Sequence, residues 1–398
     1  MKPVSVTAAS LVCAAGAGLD AVAGALKAER SGLRANDLDW VGYETWIGRV
    51  DGVENHPVRG DLAEYDCRNN RLAEMGLETD GFAAAVARAA TRYGAHRVAV
   101  ILGTSTSGIQ ATETAYREID PQSGALPDWF HLEKTHAYFS LADFVRHRLE
   151  LTGPAHVVVT ACSSSSKTFV DAEQMMRMGL CDAAVVGGVD TLCRLTVHGF
   201  ASLSLLDRAA CKPNDLHRAG ISIGEAAGFA LLERGETAAG GAPFATVLGC
   251  GESSDAYHMS SPDPDGQGAE AAMRAALRES GLAPGAIDYI NLHGTGTLIN
   301  DKVENVAVQR VFGSATPASS TKAWTGHTLG ASGILGVLLT CLAIREGFAP
   351  KNLNLETPDP SLGAPVLAHR VEKPIRHALA NAFGFGGTNC SIVLGAAA

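Results

Sequence analysis

Six short runs of apolar, mostly β-branched or small residues punctuate the chain: RVAVILGT from Arg97, HVVVTAC from His156, DAAVVGGVDT from Asp182, GFALLER from Gly228, YINLHGT from Tyr289 and ALANAFGFGG from Ala378. Between them, apolar positions recur at helical spacing, as in KTFVDAEQMMRMG, which stops at Gly179. The β-branched stretch Val157–Thr160 just before that helix predicts a buried strand. Strands alternating with helices predict α/β layers on largely parallel strands. The stretch from Thr328 to Ile344 is short and studded with Gly, Ser and Thr, which predicts a tightly packed buried helix rather than a membrane span.

A soft boundary falls at RGETAAGGAPF, Arg234 to Phe244, rich in Gly and Ala and set between two strand-like runs. The two sides share one plan. In the first, a strand ends at Cys162, a helix follows, and CDAAVVGGVDTL comes next. In the second, ASSTKAWTGHTLGASGILGVLLTCLAI supplies strand, turn and helix, followed by RHALANAFGFGGTNCSIVLG. The pattern predicts two related halves, residues 1–238 and 239–398, with a site between them.

Composition narrows the function classes. The 398 residues are 46% hydrophobic and 19% charged, enough for one large or two fused α/β domains. A formal net charge of −10 argues against binding nucleic acid or an anionic membrane through bulk charge. Nine scattered cysteines without a CxxC pair argue against a disulfide framework and a zinc site. With no signal-peptide pattern at the N-terminus, the expected setting is reduced cytoplasm.

Three residues then stand out. Cys162 sits at a strand-to-helix junction ahead of SSSS, where unpaired N–H groups and the helix dipole favour thiolate over thiol. His293, in NLHGTGTLIND, follows an apolar strand into a Gly/Thr turn; His327, in STKAWTGHTLGASG, precedes the small-residue helix. Each alone has an ordinary explanation as a core or surface residue. Strand ends and helix starts, however, are where side chains from distant segments converge.

Taken together and in order, TACSSS, HGTGT…ND..E, STK…GH..GA.G and N.FGFGGTN resemble the β-ketoacyl-acyl-carrier-protein synthases of the thiolase-like superfamily, and nearest the type I and II enzymes with a Cys-His-His site. The likeness covers nearly the whole chain, including CKPNDLHRAGISIGEAAGFALLE from Cys211. It implies a five-layer αβαβα fold and decarboxylative condensation of an acyl group with malonyl-acyl-carrier protein. By the same resemblance Cys162 is the nucleophile, while His293 and His327 stabilise an enolate. Lys322 tunes the field, and Asp301 and Glu304 order this region. Thr295 and Thr297 bind the pantetheine arm. Phe385, flanked by Gly384 and Gly386, is a gate whose N–H joins that of Cys162 in an oxyanion hole. No metal or other cofactor is implied, since the phosphopantetheine belongs to the carrier.

The implied partners are an acyl carrier protein and a second subunit, forming a homodimer or a heterodimer with a related ketosynthase-like chain. The carrier is acidic and needs a local basic surface. Arg68 and Arg71, at i and i+3, and Arg208 are the candidates. The likeness thins at Thr106, in the region that helps set the acyl pocket, and from Pro127 to His147. There, Glu133, His136 and Tyr138 are either surface residues or walls of a pocket for an unsaturated or aryl-capped chain. Two alternatives compete: a thiolase acting on coenzyme A thioesters, and a chain-length partner subunit. The first lacks a second catalytic cysteine motif, because Cys390 lies on what looks like a core strand. The second typically lacks the nucleophile that is present here.

Overall fold

The computed structural model describes residues 3–234 and 243–397, so the division between 238 and 239 lies outside the described residues. The first half contributes strands β1 (Val4–Cys13), β2 (Val98–Gly103), β3 (Ala155–Val158), β4 (Ala183–Asp190) and β5 (Ala226–Arg234). The second contributes β6 (Ala245–Ser254), β7 (Tyr289–Leu292), β8 (Ala318–Ser320), β9 (His377–Gly384) and β10 (Thr388–Gly395). The helices that cover them are α1 (Leu19–Lys27), α2 (Arg68–Glu78), α3 (Phe82–Tyr93), α4 (Ile109–Arg117), α5 (Phe139–Arg148), α6 (Ser164–Arg177), α7 (Arg194–Ser202), α8 (Gln267–Ser280), α9 (Leu298–Phe312) and α10 (Ser332–Glu346).

Strand order is β3-β2-β4-β5-β1 in one half and β8-β7-β9-β10-β6 in the other, and the arms join where β1 pairs antiparallel with β6. Pairing sense repeats as well: the first three strands of each order run parallel, and the last two steps are antiparallel. The expectation of largely parallel strands is therefore corrected, because four neighbouring pairs are parallel and five are not. Helical crossovers force parallel pairing only among the first strands of each half, whereas β9 and β10 meet through the short turn Phe385–Gly387, which can join only antiparallel neighbours.

Helices α6 and α10 pack on each other and lie between the arms, α6 against β2 and β4 and α10 against β9 and β5. Helices α2, α3 and α5 cover the outer face of the first arm, and α8 and α9 cover that of the second. The result is helix, sheet, helix, sheet, helix. Helix α10 is apolar on nearly every side because both sheets enclose it, and it is buried from Ser332 to Leu335 and from Val337 to Ile344. Strand β3, by contrast, is an edge strand of intermediate exposure rather than a buried one.

Each central helix is entered through one tight turn. Ala161–Ser163 precedes α6 and Leu329–Ala331 precedes α10, and both turns open on a non-glycine residue in the left-handed region, Ala161 at φ 51° and Leu329 at φ 53°. The two helix starts interlock: Ser165 Oγ donates to Gly330 O (2.5 Å) and accepts the N–H of Ile334 (2.8 Å). The serine tract is thus buried packing at a helix crossing, not a loose linker.

Candidate active site

Cys162, on the turn between β3 and α6, faces His293 at the end of β7 and His327 before the α10 turn. The sulfur and one ring nitrogen from each histidine all lie within 4.8 Å of one another, and all three side chains are buried. They lie in a cleft of about 390 Å³, whose lining also includes Thr295, Thr297, Phe200 and Phe385.

Hydrogen bonds set the tautomers. His327 Nδ1 accepts the backbone N–H of Leu329 (3.1 Å), with Ser332 Oγ a further 3.3 Å neighbour. An N–H can only donate, so the proton of the neutral ring sits on Nε2. Lys322 Nζ lies 3.3 Å from His293 Nδ1 and donates to the His293 carbonyl oxygen, which leaves the His293 proton on Nε2 too. Burial, reinforced by the Lys322 charge, holds both imidazoles well below their ordinary pKa and therefore neutral. Their rings meet edge to face at 5.4 Å.

The carboxylates expected beside HGTGT are both buried. Glu304 accepts the N–H groups of His293 (2.8 Å) and Gly294 (2.7 Å) and the side-chain amide of Asn381 (3.1 Å). Burial nonetheless pushes its carboxyl up to about 7. Asp301, raised by burial, accepts from the N–H groups of Asn214 (2.8 Å) and Gly296 (3.2 Å). The Thr295 and Thr297 hydroxyls are 2.9 Å apart on the cleft wall, and Thr297 also caps α9 by accepting from Asn300 N–H.

The expectation of a resting thiolate at Cys162 is corrected. Burial pushes the thiol up to about 11, against the opposing pull of the Lys322 charge and the N–H groups of Phe385 and of Cys162 itself; the Asp190 charge raises it further. Gly384 packs where a Cβ would fall 2.8 Å from Thr160 O and 3.2 Å from Cys162 N. The half-buried Phe385 ring rests 5.7 Å from that of Phe200, and Gly386, at φ 81°, donates its N–H to Met259 O (2.7 Å).

The basic face expected on α2 is not available. Arg68 is nearly buried and binds Glu225 (2.6 Å) and Glu54 (2.6 Å), with Glu225 fully enclosed. Arg71 is committed to Asp66 (2.6 Å). A charged pair at i and i+3 reads as a free surface stripe only while its carboxylates, up to 157 positions away in sequence, are unseen. Arg208 is exposed, with no ion-pair partner among the described residues. Thr106 is fully buried and gives its hydroxyl to Asp190 (2.7 Å), so it braces a loop rather than lining the cleft. Glu133 and Tyr138 are exposed, and His136 binds Thr112 Oγ1 (2.6 Å); none of the three borders the cleft. Cys390 is buried on β10 away from the cleft lining.

Glu225 and Asp190 are among several buried carboxylates that do not stand out in the sequence. Glu225 ties Val50 N–H, Leu192 N–H and Arg68 together, and Asp190 gathers the loop after β2. A single acid inside an apolar run was the only available signal for each.

Matching sheets around two central helices, with a cysteine and two histidines brought together near their turns, define a thiolase-like fold. Residues 1–238 match the Beta-ketoacyl synthase, N-terminal domain, and residues 244–356 match the Beta-ketoacyl synthase, C-terminal domain; the chain belongs to the β-ketoacyl synthase family. It is 40% identical over 264 residues to 3-oxoacyl-[acyl-carrier-protein] synthase 2 of Rhizobium meliloti (strain 1021), covering 63% of this chain and 62% of that relative's length. It is 34% identical over 368 residues to Nodulation protein E of Rhizobium sp. (strain N33), covering 86% and 90%. Among solved structures, a ketosynthase in complex with its chain length factor from Xenorhabdus doucetiae superposes with a TM-score of 0.87 at 36% identity, covering 100% of this chain and 98% of the other.

Proposed function

We propose that the chain is a condensing 3-oxoacyl-acyl-carrier-protein synthase. The observation that carries this reading is the meeting of the Cys162 thiol with two neutral imidazoles, each with its Nδ1 engaged by a donor and its Nε2–H left for a ligand. In the first step Cys162 sulfur attacks an acyl thioester. The acyl group moves to sulfur, and the thiol proton passes to the departing carrier thiol. The N–H groups of Cys162 and Phe385 meet the oxyanion of the tetrahedral intermediate.

In the second step, malonyl-carrier protein loses CO2 and its thioester oxygen gains the negative charge. The Nε2–H groups of His293 and His327 donate to that oxygen, at no reorganisation cost because their tautomers are already set. The enolate carbon attacks the acyl carbonyl, the Cys162 thiolate leaves and takes up a proton, and 3-oxoacyl-carrier protein is released. Lys322 and Glu304 hold His293, Asp301 holds the Thr295–Thr297 turn along which the pantetheine arm runs, and Phe385 on Gly384 and Gly386 gates the cleft. Nothing in this scheme requires a metal or redox cofactor.

The same reading divides the chain into halves 1–238 and 239–398 and makes Arg208 the remaining basic candidate for carrier docking. It pairs the chain with a second copy or with a related ketosynthase-like subunit through the open edge of β3; the segment from 116 to 139 also leaves Tyr116, Trp129, Leu132, Tyr138 and Phe139 exposed. Nine free, buried cysteines fit a reducing cytoplasm.

Intact-protein mass spectrometry tests the proposal. Wild type and Cys162→Ala are incubated with a panel of acyl-carrier proteins and then with malonyl-carrier protein. An acyl adduct on wild type alone, resolving into 3-oxoacyl-carrier protein, is the expected result. No adduct on wild type in the presence of its partner subunit would refute it.

A further inference from the structure

Asp190, the last residue of β4, is fully buried and stands outside the cleft lining. Its Oδ1 accepts from Thr104 Oγ1 (2.8 Å), Ser105 N–H (2.8 Å), Thr106 N–H (2.7 Å) and Thr106 Oγ1 (2.7 Å). Its Oδ2 accepts Ser105 N–H (3.1 Å) and, from the other half of the chain, Ala331 N–H (3.0 Å). Ala331 closes the turn that begins at Leu329, and Leu329 N–H is the donor that fills His327 Nδ1.

Leu329 is held in the left-handed region at φ 53°, a conformation that costs a branched side chain about 1–2 kcal/mol and persists only when its surroundings impose it. Ala331 N–H is shared between Thr328 O inside the turn (3.0 Å) and Asp190 Oδ2 (3.0 Å), so Asp190 adds to the turn's own bond a constraint from outside it. The residue between, Gly330, leaves the necessary gap: a Cβ there would fall 2.7 Å from Asp190 Oδ2 and 2.8 Å from Ser105 N. We infer that Asp190 is a positioning residue for His327. By anchoring Ala331 it keeps Leu329 N–H on His327 Nδ1 and so keeps the proton on Nε2, facing the substrate. The inference rests on the reading of His327 as donor to the enolate oxygen.

Asp190→Asn separates this role from general bracing. An asparagine keeps one oxygen for the Ser105 and Thr106 donors but turns an NH2 toward Ala331 N–H, donor against donor. It also removes a negative charge that opposes ionisation of Cys162. The expected result is a split: decarboxylation of malonyl-carrier protein falls about 2- to 10-fold, in step with the share of the Nε2–H tautomer that is lost, while acyl loading of Cys162 is unchanged or faster. In ¹⁵N-histidine spectra, with the His327 signals assigned by their loss in His327→Gln, wild type shows the proton on Nε2 and the variant a mixture of tautomers. Equal loss of both steps, or an unchanged His327 tautomer in a folded variant, overturns the inference. Should Asp190→Asn not fold, Gly330→Ala presses on the same contact with the charge retained; it is expected to shift the tautomer without faster loading, and an unshifted tautomer overturns the inference equally. A wild type that cannot decarboxylate malonyl-carrier protein would instead defeat the proposed function, leaving the spectra to judge the Asp190–His327 link.

Discussion

Glu304 and Lys322 hold the His293 backbone from opposite sides: the carboxylate accepts the His293 and Gly294 N–H groups, and the ammonium donates to the His293 carbonyl. The imidazole is therefore placed by its own peptide, with Lys322 also lying 3.3 Å from Nδ1. Burial lowers the Lys322 pKa, and the Glu304 charge opposes that fall.

Lys322→Met keeps the length of the side chain and removes its charge and donors. His293 then loses the group that disfavours a proton on Nδ1, and decarboxylation of malonyl-carrier protein is expected to fall by about 10²–10³-fold. Single-turnover rates for decarboxylation and for acyl loading check this; a fall in loading alone would contradict it.

The thiol of Cys162, pushed up to about 11, makes alkylation by iodoacetamide steeply pH-dependent. The rate constant for labelling Cys162, followed by peptide mass mapping, should rise about tenfold per pH unit from 7 to 10, since only thiolate reacts. A plateau below pH 8 would mean a resting thiolate. Lys322→Met removes a charge that lowers this pKa, so its labelling should be slower at every pH in the range.

Glu304 titrates near 7 in the folded protein against an ordinary value of 4.5. Between those values the folded chain holds a proton that the unfolded chain has lost. This group's contribution to stability is therefore fully present below about pH 4.5, declines as pH rises toward 7, and is level above it. Urea midpoints of wild type and Glu304→Gln across pH 5–8 should show this slope in wild type and not in the variant. Parallel curves would contradict it.

Arg68→Ala leaves the enclosed Glu225 carboxylate without its cation, a loss of about 3–5 kcal/mol. Arg71→Ala breaks only a half-exposed pair with Asp66, worth about 0–1 kcal/mol. Urea unfolding separates the two. Equal, small effects would restore α2 as a free surface, and carrier docking is better probed by Arg208→Glu, with a raised KM for carrier substrates and unchanged turnover of small thioesters.

The six apolar runs became strands because their patterns are local; Cys162 and His293 were legible because each closes such a run, and His327 because it precedes the small-residue helix. The strand Val4–Cys13 escaped notice, since VSVTAASLVC mixes small polar with apolar residues and earns its place only by pairing on both sides. Pairing sense was misjudged because a helix-containing connection and a hairpin leave similar traces of apolar alternation. The ionic partners of Arg68 and the six bonds to Asp190 join residues brought together only by tertiary folding. Burial, which reversed the expected ionisation of Cys162, is likewise a property of the whole assembly rather than of any local stretch.

The twin left-handed turns at Ala161 and Leu329 carry a consequence for how such a centre can be built. Were the two halves separate, identical molecules meeting about a true two-fold axis, any side chain introduced at one turn would be introduced at both. A thiol could face only another thiol. A single polypeptide containing both copies is released from that identity, so that one turn can present sulfur while the neighbourhood of the other presents hydrogen-bond donors.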